Sequence, residues 1–192
     1  MNERIEAESE WISRVVLHDD HLAFAELVHL HQAPVRRFLG RLCGDDWQRA
    51  DDLAQDTFWK AYRNIGGYRG SGRFLSWLFG IAWQLYSGQQ RSGGGRMHVS
   101  LEDMSMEGMS MDLADDVPGD VDLHALEQLL GQLRPEEQAA ILLHYRHGLT
   151  HQEAAAALGV PLGTVKSLIV RARAKLRRMA NPEAPNEGGQ DA

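Results

Sequence analysis

Cysteine is nearly missing from this chain: Cys43 is the only one in 192 residues. No internal disulfide can form, and no Cys/His set has zinc-finger spacing, so neither a disulfide framework nor a structural metal site is expected. A reducing cytoplasm is the expected home. Apolar runs are short as well, none approaching the roughly 20 residues that cross a bilayer. The N-terminal "MNERIEAESEW" is charged where a signal peptide needs an apolar core, so export and membrane insertion are not expected. Catalytic signatures are also lacking. There is no nucleophile elbow and no phosphate-binding glycine loop followed by Lys-Ser/Thr. His144 and His147 stand one turn apart with no further ligands in view, which reads as a pair of surface histidines. The expectation is a protein without cofactor that is not an enzyme.

Sustained strand-like alternation is absent too, whereas helical periodicity runs through residues 9–39, 46–65 and 73–90, and again through about 122–180. The expected fold is all-α: two small helical domains, residues 1–91 and 122–180, joined by a flexible acidic segment over 92–121. That segment, "SGGGRMHVSLEDMSMEGMSMDLADDVPGD", has no apolar period and little to bury. Its methionines Met104, Met106, Met109 and Met111 allow a soft copper site, but a linker touching a partner loosely is the plainer account. Residues 181–192 read as a disordered tail.

The net charge of −7 argues against nucleic acid until its distribution is considered. Between Pro161 and Ala180 no acid occurs, while Lys166, Arg171, Arg173, Lys175, Arg177 and Arg178 do; Glu102 to Asp122 is almost purely acidic. Such segregation points to a basic binding surface beside an acidic segment of different purpose.

The basic stretch follows "LTHQEAAAALGVPLGTVKSLI", which has the layout of a helix-turn-helix. Thr150 and Glu153 have capping-box spacing, and Gly159 supplies the permissive backbone at the bend. Val165, Ile169, Ala172 and Leu176 form an inward stripe on the second helix, leaving the basic residues outward. Pro161 and Gly163 at its mouth suit a recognition helix entering the major groove, where unpartnered N–H groups and a thin backbone help approach. Lys166 and Ser167, with Arg171 next, are best placed for base edges; Arg173, Lys175 and Arg177 suit phosphates.

In the first block, "ADDLAQDTFWKAYRNI" divides into an apolar side (Ala54, Phe58, Ala61, Tyr62, Ile65) and an opposite side bearing Asp52, Gln55, Asp56, Trp59 and Arg63. An aromatic anchor among polar groups suits a protein interface. Asp51, Asp52 and Asp56 also fit an aspartate-rich magnesium motif, but that chemistry wants a second motif across a pocket and none is found. A glycine-rich loop then leads into an aromatic helix, with Arg69, Arg73 and Arg91 alongside, a composition that can stack unpaired bases.

In their order, "FAELVHLHQAPVRRFL", "ADDLAQDTFWKAYRNI", "YRGSGRFLSWLFGIA" and "LRPEEQAAILLHYRHGLTHQEAAAALGVPLGTVKSLIVRARAKLRR" resemble the extracytoplasmic-function group of bacterial sigma factors, the initiation subunits of RNA polymerase. The resemblance implies that Asp52, Gln55, Asp56 and Trp59 dock on the clamp helices of the largest subunit of core RNA polymerase. It implies that Tyr68, Arg69, Ser71, Arg73, Gln84 and Arg91 handle a flipped base and separated strands of the minus-10 element. The minus-35 duplex of the promoter DNA would fall to Thr164, Lys166, Ser167, Arg171, Arg173 and Lys175. It also implies an anti-sigma partner, and a linker whose acids mimic phosphates inside polymerase channels. The chain departs from the family at Gln84 and Gly88, where an asparagine and an acid are usual, and at Leu168, where an arginine commonly follows the serine. A stand-alone helix-turn-helix regulator and a sigma-like decoy are the alternative readings.

Overall fold

The computed structural model describes residues 2–44, 46–70, 72–92 and 129–180. Among these every regular element is helical, with no strand. The linker methionines and acids, the tail and Ser71 lie outside the described residues.

The periodic stretch over 9–39 is two helices, α1 (Asn2–His18) and α2 (His21–Leu42). Asp19 breaks the run by adopting φ 53°, a conformation aspartate tolerates better than most residues. Asp20 then caps α2, accepting from the Leu22 and Ala23 amides at 2.9 and 3.0 Å. The Ala23 amide, followed by the Arg14 guanidinium, holds the Asp20 carboxyl below its ordinary value. The sequence "HDDH" carries this start signal, but the apolar period continuing across it conceals the break.

α3 (Trp47–Asn64) is capped by Asp46, which accepts from the Arg49 amide. Its buried side is Ala50, Leu53, Ala54, Thr57, Phe58 and Ala61, recurring at helical spacing. α2 and α3 approach closely because Gly40 has no side chain: a Cβ there would lie 2.5 Å from the Trp47 ring. A short 3₁₀ turn (Ile65–Gly67) and a loop lead to α4 (Phe74–Ser92), which places Leu78, Phe79, Ala82 and Tyr86 in the core with Phe38 and Leu39 of α2. Each such fully buried large side chain contributes roughly 1.5–3 kcal/mol.

The second group begins with α5 (Pro135–Ile141), widens through a π turn (Leu142–Arg146), and continues as α6 (His151–Leu158) and α7 (Leu162–Ala180). The capping box at α6 is formed: the Glu153 amide donates to Thr150 Oγ1 at 3.1 Å, and the Thr150 amide to Glu153 Oε2 at 2.8 Å. Gly159 ends α6 at φ 68°, and α7 leaves at 102°. Val165, Leu168, Ile169 and Ala172 bury against Ala154, Ala155 and Leu158 across this corner. α7 is tied back to α5 by Lys175, whose ammonium donates to both oxygens of fully buried Glu137 at 2.9 and 2.7 Å. Burial pushes the Glu137 carboxyl up, but bonds from Lys175 and Arg134 outweigh it and hold the carboxyl below its ordinary value.

The two groups pack on one another, α4 lying along α6, and share one continuous apolar cluster. No single described helix is long and apolar enough to cross a membrane.

Candidate nucleic-acid interface

Three surfaces carry the residues selected from the sequence. On the outer face of α3, Asp52, Gln55, Asp56 and Trp59 are all exposed, Trp59 to 62 %. Arg63 lies over the Trp59 ring at 4.7 Å, a cation–π contact that orients the indole. Behind it runs an open apolar groove lined by His21, Phe24, Phe58, Trp59 and Tyr62. Tyr62 thus belongs half to the core and half to this groove, and its hydroxyl donates to Asp19 and stands 3.0 Å from His21 Nδ1. Asp51 is turned away and paired with Arg36 through two bonds. Among the described residues no His/Cys/Asp/Glu group is arranged to hold a metal.

The second surface is the loop before α4 and the outer face of that helix. Tyr68 is half-buried, packed edge-on to Phe74 with centroids 5.2 Å apart and tilted against Trp77, and its hydroxyl donates to the Gly72 carbonyl. Burial pushes its phenol above the ordinary value. Arg69 is exposed; Gln84, Gly88 and Arg91 follow one another at four- and three-residue spacing along α4, with Gln84 and Arg91 exposed. Lys60 of α3 reaches to 3.5 Å from Gln84 Oε1, putting a cation on this face that no periodicity along α4 could reveal. Arg73 points elsewhere. Its guanidinium bonds Glu153 of α6 at 3.0 and 3.3 Å and the Gly148 carbonyl at 2.7 Å.

The third surface is the mouth and outer side of α7. Pro161, Leu162, Gly163 and Lys166 are exposed, and a Cβ on Gly163 would meet only open space. Thr164, Arg171 and Arg173 are half-buried at its edges; the Ser167 hydroxyl donates to the Gly163 carbonyl at 3.0 Å, holding it beside Lys166. Lys175 does not join this surface, since Glu137 engages its ammonium. Leu162 is 43 % exposed at the helix mouth, an apolar contact that no charge marks in the sequence.

The histidines are not surface residues of no consequence. The His147 ring sits 4.5 Å from the Phe79 ring and 6.1 Å from Phe38, in the seam between the two helical groups. Burial, then Arg146, Arg37 and Arg73, lowers its pKa from 6.5 to about 4. His144 Nδ1 donates to the Leu149 carbonyl, and its ring stacks on His151 at 4.4 Å. Burial, then His144 and Lys166, lowers the His151 pKa.

Known proteins match the same regions. The family model described as Sigma-70 region 2 matches residues 27–92, and that described as Sigma-70, region 4 matches 123–176. The chain is 37% identical over 154 residues to the ECF RNA polymerase sigma factor SigE of Mycolicibacterium smegmatis, covering 79% of this chain and 59% of that protein. It is 30% identical over 178 residues to the RNA polymerase sigma-H factor of Pseudomonas aeruginosa, covering 85% and 89% respectively. Among solved structures, the sigma factor RpoE in complex with the anti-sigma factor NepR, from Bartonella quintana, matches with a TM-score of 0.63 at 27% identity, covering 84% of this chain and 98% of that one. CnrH in complex with the cytosolic domain of CnrY matches with a TM-score of 0.65 at 23% identity, covering 93% and 99%, a likeness of fold.

Proposed function

Because the chain belongs to the extracytoplasmic-function sigma factors of the sigma-70 family, we propose that it binds core RNA polymerase and directs it to a specific class of promoters. Catalysis then lies with the polymerase, and the family is generally non-enzymatic. The observation that carries this reading is the pairing, in one chain, of the exposed acidic and aromatic face of α3 with the basic, thin-backboned mouth of α7. A stand-alone DNA-binding regulator has no use for the first, and a protein that only binds other proteins has no use for the second.

In this reading residues 1–91 form the module that grips polymerase and the minus-10 strand, 92–121 a linker, 122–180 the minus-35 module, and 181–192 a tail. Asp52, Gln55, Asp56 and Trp59 dock on the clamp helices of the largest subunit. Arg69, Gln84 and Arg91 face the separated minus-10 strands with Lys60 beside them, and Tyr68 and Ser71 act on a flipped base; Arg73, bonded to Glu153 and the Gly148 carbonyl, joins them only once those bonds are released. Unstacking that base costs a few kcal/mol, which the stacking and charge contacts must offset. Thr164, Lys166 and Ser167 enter the major groove of the minus-35 duplex, while Arg171 and Arg173 lie toward its backbone. Lys175 leaves the DNA set because α5 engages it. NepR and CnrY are the partners of similar folds, and an anti-sigma protein is the partner proposed here. The protein works in the cytoplasm.

The test is transcription in vitro. Core bacterial RNA polymerase plus this chain should yield transcripts whose sequenced 5′ ends share upstream minus-10 and minus-35 elements. Polymerase binding without any promoter-specific transcript would favour a decoy, for which Gln84 and Gly88 are the motivating departures. DNA binding without polymerase association would favour a stand-alone regulator.

A further inference from the structure

Two residues that neither the charge pattern nor the helical period marks stand behind the loop before α4. Glu8 of α1 and His31 of α2, 23 positions apart, meet at 2.8 Å between Oε1 and Nε2. A carboxylate only accepts, so Nε2 carries the proton and donates, and the imidazole is held in one orientation. The pair is largely withdrawn from water, with the His31 side chain 8 % exposed and that of Glu8 21 %.

The imidazole in turn leans on an aromatic cluster. Phe74 lies 5.6 Å from the His31 ring, meets Tyr68 edge-on at 5.2 Å and stands 5.3 Å from Trp77. Tyr68 and Trp77 close the triangle at 5.6 Å. The Tyr68 hydroxyl donates to the Gly72 carbonyl, tying the start of the loop to its end. Burial, with the Glu8 charge added, holds this phenol above its ordinary value, so it stays a donor. α1 also packs on the 3₁₀ turn Ile65–Gly67, from which the loop departs. Contact is therefore continuous from the N-terminal helix to the loop, through Glu8, His31, Phe74, Tyr68 and Gly72.

Holding α1 in place does not require this pair. Val15 is buried, Trp11 and Ile12 pack against the core, and Arg14 bonds Asp20 at 2.7 Å. Withdrawing a carboxylate and an imidazole from water costs desolvation that an apolar pair would avoid. What the hydrogen bond adds is direction, since an apolar contact leaves a ring able to turn. Given the function proposed above, on which this inference rests, we propose that Glu8 and His31 are positioning residues for strand capture: by fixing the ring beneath Phe74 they hold Tyr68 and its loop in the shape that receives a flipped minus-10 base. A loop that samples other shapes binds more weakly by the fraction of time it spends in the competent one. Unstacking the base leaves little surplus to offset that loss.

The experiment uses the full chain with core RNA polymerase and an oligonucleotide carrying the single-stranded non-template minus-10 element of a promoter located by transcript 5′ ends. Glu8→Ala removes the acceptor, and Glu8→Asp keeps the charge but withdraws it by one methylene. Each should weaken strand binding roughly three- to tenfold, the scale of one side-chain hydrogen bond. Glu8→Gln, whose amide oxygen still accepts from Nε2, should bind the strand as wild type does. All three should bind core polymerase normally, because the α3 face takes no part in the pair. Replacing each nucleotide of the strand in turn by an abasic one finds the flipped base: there wild type and Glu8→Ala should bind equally. Equal binding of the intact strand by wild type, Glu8→Ala and Glu8→Asp would overturn the proposal. So would a deficit that persists at every abasic position, the mark of a role in α1 docking alone. Glu8→Asp, the milder change, decides the matter if Glu8→Ala does not fold. Trypsin cleavage after exposed Arg69 in the free protein needs neither polymerase nor DNA, and should be several-fold faster in Glu8→Ala and Glu8→Asp than in wild type and Glu8→Gln. Unchanged cleavage would refute the hold on the loop. Faster cleavage in a chain that directs no transcription would strike at the sigma-factor reading and leave that hold standing.

Discussion

Arg73 and Glu153, 80 residues apart in the chain, meet through two hydrogen bonds at 3.0 and 3.3 Å across the seam between α4 and α6. Each residue has another duty. Arg73 precedes the first turn of the helix proposed to meet the minus-10 strand, and Glu153 completes the capping box of the helix-turn-helix. Burial pushes the Glu153 carboxyl up, but the bonds from Arg73 and Thr150 outweigh it and hold the carboxyl below its ordinary value. The pair is half exposed, and such ion pairs contribute at most about 1 kcal/mol. It therefore sets the register of the seam, while the apolar contact of Gly80, Ala157, Phe79 and His147 supplies most of the adhesion.

Reversing the charge at Asp56 should separate polymerase binding from folding. The side chain is exposed on α3 and the fold makes no demand on it. Asp56→Arg is expected to abolish co-purification with core polymerase while leaving the thermal midpoint within a degree or two of wild type. Retained association would remove the α3 face from the interface.

Lys166 is the exposed cation nearest the α7 mouth. Lys166→Ala should weaken binding to a cognate minus-35 duplex by about 1–3 kcal/mol, with a smaller loss on scrambled DNA, if the ammonium reads a base edge. Equal losses on both duplexes, measured by fluorescence anisotropy across a salt series, would make it a phosphate contact.

Lys175 is expected to behave as a structural residue. Lys175→Met removes two charge-assisted bonds from buried Glu137 and should destabilise the second module by about 1–3 kcal/mol in urea unfolding. The pH dependence has a defined sign. Because the Glu137 carboxyl is held below its ordinary 4.5, its contribution is present above that value and is lost as pH falls through the lower, folded value. The variant should lose less stability on acidification than wild type.

His147 gives the seam an acid sensitivity. Its imidazole is neutral when packed between Phe79 and Phe38, its pKa lowered to about 4 by burial and by Arg146, Arg37 and Arg73. The unfolded chain, with an ordinary value of 6.5, binds the proton more tightly, so the contribution of His147 to stability is fully present above pH 6.5 and weakens progressively as pH falls toward 4. The loss approaches about 3 kcal/mol at the lower limit, since each unit of difference corresponds to about 1.4 kcal/mol. Stability in urea unfolding should decline over pH 6.5–4 in wild type and stay flatter in His147→Phe.

Much of this molecule is written in local sequence. Helical periods of three and four residues located α3, α4 and α7, and the Thr150–Glu153 spacing with Gly159 located the helix-turn-helix, because capping and turn chemistry act over a few residues. The same period separated the exposed face of Asp52, Gln55, Asp56 and Trp59 from the core face. Where two local signals compete the reading blurs: an apolar stripe running through Asp19 and Asp20 hid the end of α1.

The tertiary structure alone decided what each cation does. Lys166 and Lys175 look alike in a basic helix, yet one reaches solvent and the other finds a buried carboxylate 38 residues earlier in the chain. His147 reads as a surface histidine until Phe38 and Phe79 close over it. A periodicity records which way a side chain leaves its own helix, whereas the field and packing it meets there are set by helices distant in sequence, and these contacts leave no repeating trace along the chain.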